Sequence, residues 1–331
     1  MKKILTTILK YVIGFGIGGF LLWWSLKGLS AQDRADIQAA LQRARFWLII
    51  PVFAILLLSH YIRALRWKQI LVPMGYNPPI LHLLYSILIG YIGNQLIPRA
   101  GEILRCSVIA RKDKVPMEKL VGTIIAERVT DLLSLAALCV FIFFAEYNKI
   151  QEYIDEIAQK SGNKWFAAVV VLLAVIILFF LVKTFRKTKW GAAISKILSG
   201  MWEGLVSIKK VKNKLLFFVY TILIWCCYIM STWIGCFALS ETSSLSITTA
   251  TTLLIFGTFG IIIAPGGLGA YPWAIQKTLI FYNVNEIIGL ALGWILWVAQ
   301  FIFTIIFGTL AYIALTLSKK NQNEERRTHT S

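Results

Sequence analysis

Charge is what this chain has least of. Only 15% of its 331 residues are Asp, Glu, Lys or Arg, where a soluble domain carries about 25%. No stretch reads as a separate soluble domain. Metal and redox chemistry also lack their usual spacings. The three histidines, His60, His82 and His329, are scattered with no H-E-x-x-H among them, so neither a metal site nor a cofactor is expected. The five cysteines, Cys106, Cys139, Cys226, Cys227 and Cys236, sit in apolar context without C-x-x-C spacing. They read as small buried hydrophobes.

What is abundant is apolar sequence: 58% of residues are hydrophobic and the mean hydropathy is +0.71. Several runs approach the ~20 residues that cross a bilayer. The twelve Trp and twelve Tyr suit anchoring at its interfaces. The net charge of +18 then reads as cytoplasmic loops attracted to anionic headgroups, and nucleic acid is not an expected partner.

The chain orders itself into spans at Leu9–Leu26, Phe46–Leu65, Leu120–Phe144, Trp165–Val182, Leu215–Leu239 and Ile287–Leu317. Lys2-Lys3 ahead of the first run also fits a signal peptide; a retained helix is expected, because the topology then balances. Ala31–Arg45, with Ile37, Leu41 and Leu48 at helical spacing, reads as an interfacial helix, and Lys183–Lys214 as a second. The polar tail, Ser318–Ser331, is expected to be disordered. Residues 1–317 thus form one integral membrane domain.

A repeat lies inside this order. Tyr61–Pro98 and Tyr228–Pro265 align without a gap, and Gly90-x-x-Gly93-x4-Pro98 matches Gly257-x-x-Gly260-x4-Pro265. One residue further out of step, Gly101 matches Gly269 and Glu118 matches Glu286. The repeats cover about 46–145 and 215–317. Lys and Arg mark cytoplasmic loops. The basic loops at Lys2–Lys10, Arg99–Lys119 and Lys183–Lys214 all fall inside, and the acidic Glu146–Lys164 outside, if Ile80–Arg111 enters and returns without crossing. The expected fold is therefore an all-α polytopic membrane protein with about six full spans. Two re-entrant helical hairpins complete it, in an inverted repeat, with both termini cytoplasmic. Such repeats, with broken helices at mid-membrane, are a transporter architecture. The hairpin tips are Pro98, Gly101, Pro265, Gly266, Gly267 and Gly269.

Charge concentrates on one copy. Arg99, Glu102 and Arg105 follow the Pro98 break, and guanidinium groups suit a phosphate. In Leu120–Phe144, Thr123, Glu127, Thr130, Asp131 and Ser134 form one polar stripe, with Arg128 beside Glu127 and three residues before Asp131. These charges either pin the first hairpin by ion pairs or bind a headgroup, and the two roles are compatible. The matching positions of the second copy are Ile295 and Ala299, so its hairpin carries no charge.

Asn94…Pro98-Arg99-Ala100-Gly101-Glu102…Arg105, then Glu127-Arg128…Asp131, then Pro265-Gly266-Gly267-Leu268-Gly269 together resemble the flippase-like family typified by the transmembrane region of lysylphosphatidylglycerol synthases. The resemblance implies a protein of the bacterial inner membrane that translocates a phospholipid or lipid-linked headgroup. By their own charge and position, Asn94, Arg99, Glu102, Arg105, Glu127, Arg128 and Asp131 are expected at the substrate, with no catalytic residue and no cofactor. No aminoacyl-transfer domain follows Leu317, so lipid aminoacylation is not expected. Ala270-Tyr271-Pro272-Trp273 stands where family members often carry an acidic residue, so no carboxylate role is expected at the second hairpin. An intramembrane enzyme on a lipid-linked substrate, or a regulatory partner of a lipid synthase, are the alternatives.

Overall fold

The computed structural model describes residues 27–96, 100–149 and 211–328, with 16, 19, 20, 23, 151 and 152. Pro98, Arg99, the stretch 183–210, the span expected at 165–182 and most of that at 9–26 lie outside them. Among the described residues every regular element is helical. The chain divides into two compact units, Met1–Val121 with Val211–Ser331, and Gly122–Lys210. Among the described residues four helical stretches are long and apolar enough to cross a membrane: Phe46–Met74, Met117–Ala145, Lys214–Cys236 and Glu286–Leu317.

In the first unit, α1 (Ala31–Arg43) begins at a capping box. The Asp33 N–H donates to Ser30 Oγ at 3.1 Å, and the Ser30 N–H donates to Asp33 Oδ2 at 2.8 Å. Its Ala40 is buried in the apolar core and Ile37 packs against it, so α1 docks on protein through one face. The long α2 (Ile49–Leu71) does not stop at its first arginine. It carries Arg63, Arg66 and Lys68 within the helix, and the two arginines are buried.

The chain then doubles back into a hairpin of α3 (Ile80–Leu96) and α4 (Ala100–Asp113). Close approach is possible because three glycines face one another. A Cβ at Gly90 would sit 2.9 Å from the Gly101 carbonyl oxygen, and one at Gly93 would sit 3.1 Å from the Gly101 Cα. The Gly101 N–H donates to Asn94 Oδ1 at 2.9 Å, which satisfies a free donor at the start of α4. At the other end of the pair, His82 Nδ1 lies 2.9 Å from Asp113 Oδ1.

The second copy is built alike. From α5 (Met117–Ala145) the described chain resumes at α6 (Lys214–Cys236), which packs along α2. Then α7 (Ile247–Ile263) and α8 (Ala270–Ile280) pack as a pair around the turn Pro265–Gly267. A Cβ at Gly260 would lie 2.8 Å from Tyr271 Cα. At the far end Tyr282 Oη donates to Thr252 Oγ1 at 2.9 Å. The last helix, α9 (Glu286–Thr328), seats α8 through the Gly289-x-x-x-Gly293 face, where a Cβ at Gly293 would lie 2.7 Å from Pro272 Cα.

One sequence expectation is corrected here. The polar tail is helical as far as Thr328 and is not disordered from Ser318. The segment is rich in Lys, Gln, Glu and Arg and contains neither Gly nor Pro. Such residues extend an established helix at little cost, because the nucleus is already formed.

Candidate functional site

Residues on α2 set the depth of the first hairpin. Tyr91 of α3 stacks on His60, with ring centroids 4.5 Å apart. The Arg105 guanidinium of α4 lies over the Trp67 ring at 4.3 Å. Gln95 is one turn beyond Tyr91, which brings the hairpin tip to about the level of Leu56. Leu56 lies about 16 Å from Phe46, where a 3-10 turn runs into α2.

The two tips meet there. Gly266 adopts φ +60°, and a Cβ placed on it would run into Gln95 Oε1. Only a residue without a side chain fits both the left-handed backbone and the Gln95 amide. The Gly266 carbonyl accepts from Trp297 Nε1 at 2.8 Å, which ties this tip to α9. Gln300, one turn further along α9, donates its amide N–H to Tyr271 Oη at 3.3 Å. The contact between the hairpins is thus polar but uncharged, Gln95 against a glycine backbone, while Trp297 and Gln300 of α9 anchor the second hairpin.

The charged residues predicted from the sequence take different places. Arg105 is buried, and Glu102, one turn earlier, approaches it with Oε2 at 3.9 Å from Nε. A buried cation between an aromatic face and a carboxylate keeps its charge without water. Asn94 belongs to the turn, since its acceptor oxygen holds Gly101. Arg99 and Pro98 fall outside the described residues.

In the second unit, the stripe on α5 is the buried face of its helix. Thr123, Glu127 and Thr130 are all buried, and Thr130 and Ser134 turn their hydroxyls back onto the Ala126 and Thr130 carbonyls. Asp131 pairs with Arg128 at 3.8 Å across one turn. The two neighbours differ sharply: Glu127 is 0% exposed, whereas the Arg128 side chain is 46% exposed. Glu127 sits inside the fold, and Arg128 forms the outer half of a surface pair.

Sequence reasoning missed Arg63 and Arg66. Their position at the end of a span made them ordinary positive-inside residues, but both are buried. Arg63 Nη2 donates to Tyr228 Oη at 3.1 Å, and Arg66 Nη1 donates to Thr221 Oγ1 at 3.2 Å. The Phe217 ring lies 5.7 Å from the Arg66 guanidinium. The usable signal was on α6, where Thr221 and Tyr228 are spaced i, i+7 on one face of an apolar helix. With Arg105, three guanidinium groups are drawn into the end of the first unit that holds Trp67.

The model of the lysylphosphatidylglycerol synthase transmembrane region matches residues 11–308 of this chain. A UPF0104 membrane protein of Methanocaldococcus jannaschii, MJ1595, is 20% identical over 294 residues, 84% of this chain and 87% of that protein. The glycosyltransferase AglD of Haloferax volcanii is 30% identical over 107 residues. That match takes in 32% of this chain, which spans only 17% of the glycosyltransferase's length. No solved structure matches the chain.

Proposed function

The chain belongs to the lysylphosphatidylglycerol synthase transmembrane-region family, and on that footing we propose that it translocates a lipid with a phosphate-bearing headgroup across the cytoplasmic membrane. The carrying observation is the pairing of a buried guanidinium, Arg105, with a hairpin whose tip meets that of a second hairpin. A guanidinium this deep in an apolar fold, set between Trp67 and Glu102, can exchange its carboxylate for a phosphate of like charge. The headgroup enters on the Arg105 side, against Arg105 and Glu102, with Arg99 as a further donor. It then passes the polar contact of Gln95 with Gly266. On α5, Glu127 and Asp131 with its partner Arg128 would bind a basic part of the headgroup, and Asn94 holds the first hairpin's turn through Gly101.

The short helices support a re-entrant reading. At 1.5 Å per residue α4 and α8, with 14 and 11 residues, reach only about 21 and 16 Å, short of the ~30 Å layer. The loop charges support cytoplasmic placement of both termini and of the first hairpin's open end. In this reading the protein acts as a carrier and not as an enzyme; the likeness to a glycosyltransferase touches a sixth of that protein.

Native mass spectrometry of the purified chain tests the headgroup site. Wild type retains phosphatidylglycerol, and Arg105→Ala retains about tenfold less, the loss of one charge-assisted contact. Equal retention would sink the assignment. Covalent turnover of the lipid by the protein in detergent, with no sealed bilayer, would favour the enzyme reading instead.

A further inference from the structure

A second lipid-sized feature lies at the opposite end of α2 from Arg105. From Phe46, next to Arg45, to Trp67 the 3-10 turn and α2 together rise about 33 Å, close to one full hydrocarbon thickness. Between these ends, on the Arg45 side, a groove of about 290 Å³ opens in the first unit. Val52 and Leu56 of α2, Ser231 and Gly235 of α6, and Leu296 and Ala299 of α9 wall it. Exposed Arg45 and the half-buried Gln300 also line it.

We infer that this groove holds one acyl chain of an anionic phospholipid of the leaflet opposite the Arg105 site, with its phosphate on Arg45. The inference rests on the translocation reading, and it adds where the lipid sits at the other end of its path. Three observations carry it. The walls are almost wholly apolar. The depth from Phe46, next to Arg45, to Leu56, about 16 Å, is that of a single leaflet. And the volume, at the small end of ligand pockets, suits one chain and not a whole two-chain lipid. Charge fixes which lipid enters. Arg45 is exposed at the groove, with its backbone N–H held at 2.8 Å on the Ala238 carbonyl. Arg43 nearby pairs with Glu241 at 3.8 Å, whereas among the described residues no carboxylate pairs with Arg45. A phosphate supplies that counterion.

The groove also touches the second hairpin's anchor. Gln300, which lines it, bonds Tyr271, and Tyr271 fills the glycine-lined seam of α7 against α8. Trp294 and Val298, on the groove side of α9, flank Trp297, which holds the Gly266 carbonyl. A chain lying in the groove therefore packs on α9, the helix whose other face carries Trp297 and fixes the hairpin tip.

The test uses the full chain in nanodiscs with phosphatidylglycerol bearing a diazirine on one acyl chain, and maps labelled residues by mass spectrometry. Labelling at Val52, Leu296 and Ala299 is expected to exceed that at Ile222, an exposed α6 position that reports the surrounding bilayer. Arg45→Gln lowers groove labelling about tenfold, as for the loss of one charge-assisted hydrogen bond. Arg45→Lys retains most of it, and Ala299→Trp removes it. A diacylglycerol carrying the same diazirine labels the groove no more than Ile222. Groove labelling that follows Ile222 in wild type, or that ignores Arg45→Gln and headgroup charge, overturns the inference. Arg105→Ala separates the two readings. It leaves groove labelling intact if this site stands alone, and its translocation rate tests the pathway whatever the groove does.

Discussion

The amide oxygen of Gln95, in the last turn of one hairpin, lies where a Cβ of Gly266 in the other would have to be. Two segments separated by 170 positions meet through an amide and a bare backbone, and this contact sets how close the two tips can come.

Gly266→Ala is expected to strain the backbone, since φ is +60° there, and to push Gln95 away. The backbone part alone costs about 1–2 kcal/mol, a fall of a few degrees in the unfolding midpoint in detergent. Adding Gln95→Ala removes the collision and leaves the backbone cost. Thermal unfolding of the two single variants and the double checks this, and full additivity would contradict the contact.

Close packing at Gly101 is less forgiving. A Cβ there meets the Gly90 carbonyl and, at 2.7 Å, Asn94 Oδ1, and neither can withdraw without opening the hairpin. Gly101→Ala should cost about 1–3 kcal/mol from overpacking and lose translocation with it. Gly122→Ala is the comparison. Nothing lies within 4 Å of its Cβ position, so a helix-interior alanine should stabilise by about 1 kcal/mol. Unfolding midpoints that rank the two the other way would contradict the packing.

The buried arginines of α2 should depend on neutral partners. Tyr228→Phe removes the hydroxyl that accepts from Arg63, and Thr221→Val the one that accepts from Arg66. Hydrogen bonds to a charged group contribute about 1.5–3 kcal/mol, so each variant should unfold several degrees lower. Variants that unfold with wild type would show that these bonds carry no weight.

Glu127 and Arg128 are neighbours with opposite expected sensitivity. Glu127→Gln changes a fully buried carboxylate and should lower both the unfolding midpoint and the lipid flux. Arg128→Gln removes the half-exposed partner of Asp131, whose own side chain is 14% exposed, and should cost less than Glu127→Gln. Flux through both variants in the same vesicles distinguishes them.

Much of this arrangement is legible in the chain. The Gly90-x-x-Gly93 and Gly257-x-x-Gly260 pairs mark where the hairpins close, and the Thr123–Glu127–Thr130 stripe marks the buried face of α5. Both are local periodicities, and a helix expresses those directly. Arg63 and Arg66 were not legible, because the hydroxyls that accept from them lie 165 and 155 positions away. An arginine at a span's end looks the same whether it faces water or a neighbouring helix. Gln95 was not singled out beside its polar neighbour Asn94, and its partner is a glycine carrying no side-chain signature. The helical tail was missed because polarity was taken for disorder, although Lys, Gln, Glu and Arg continue a helix well.

The central claim is that lipid crosses by way of Arg105 and the paired hairpin tips. The most direct test is the rate at which headgroup-labelled phosphatidylglycerol moves between leaflets of sealed proteoliposomes containing wild type, Arg105→Lys or Arg105→Ala, each confirmed folded by its unfolding midpoint. The account predicts flux above protein-free vesicles for wild type, a partial rate for Arg105→Lys, and for Arg105→Ala a rate about tenfold lower than wild type. Wild-type flux from folded Arg105→Ala would contradict it.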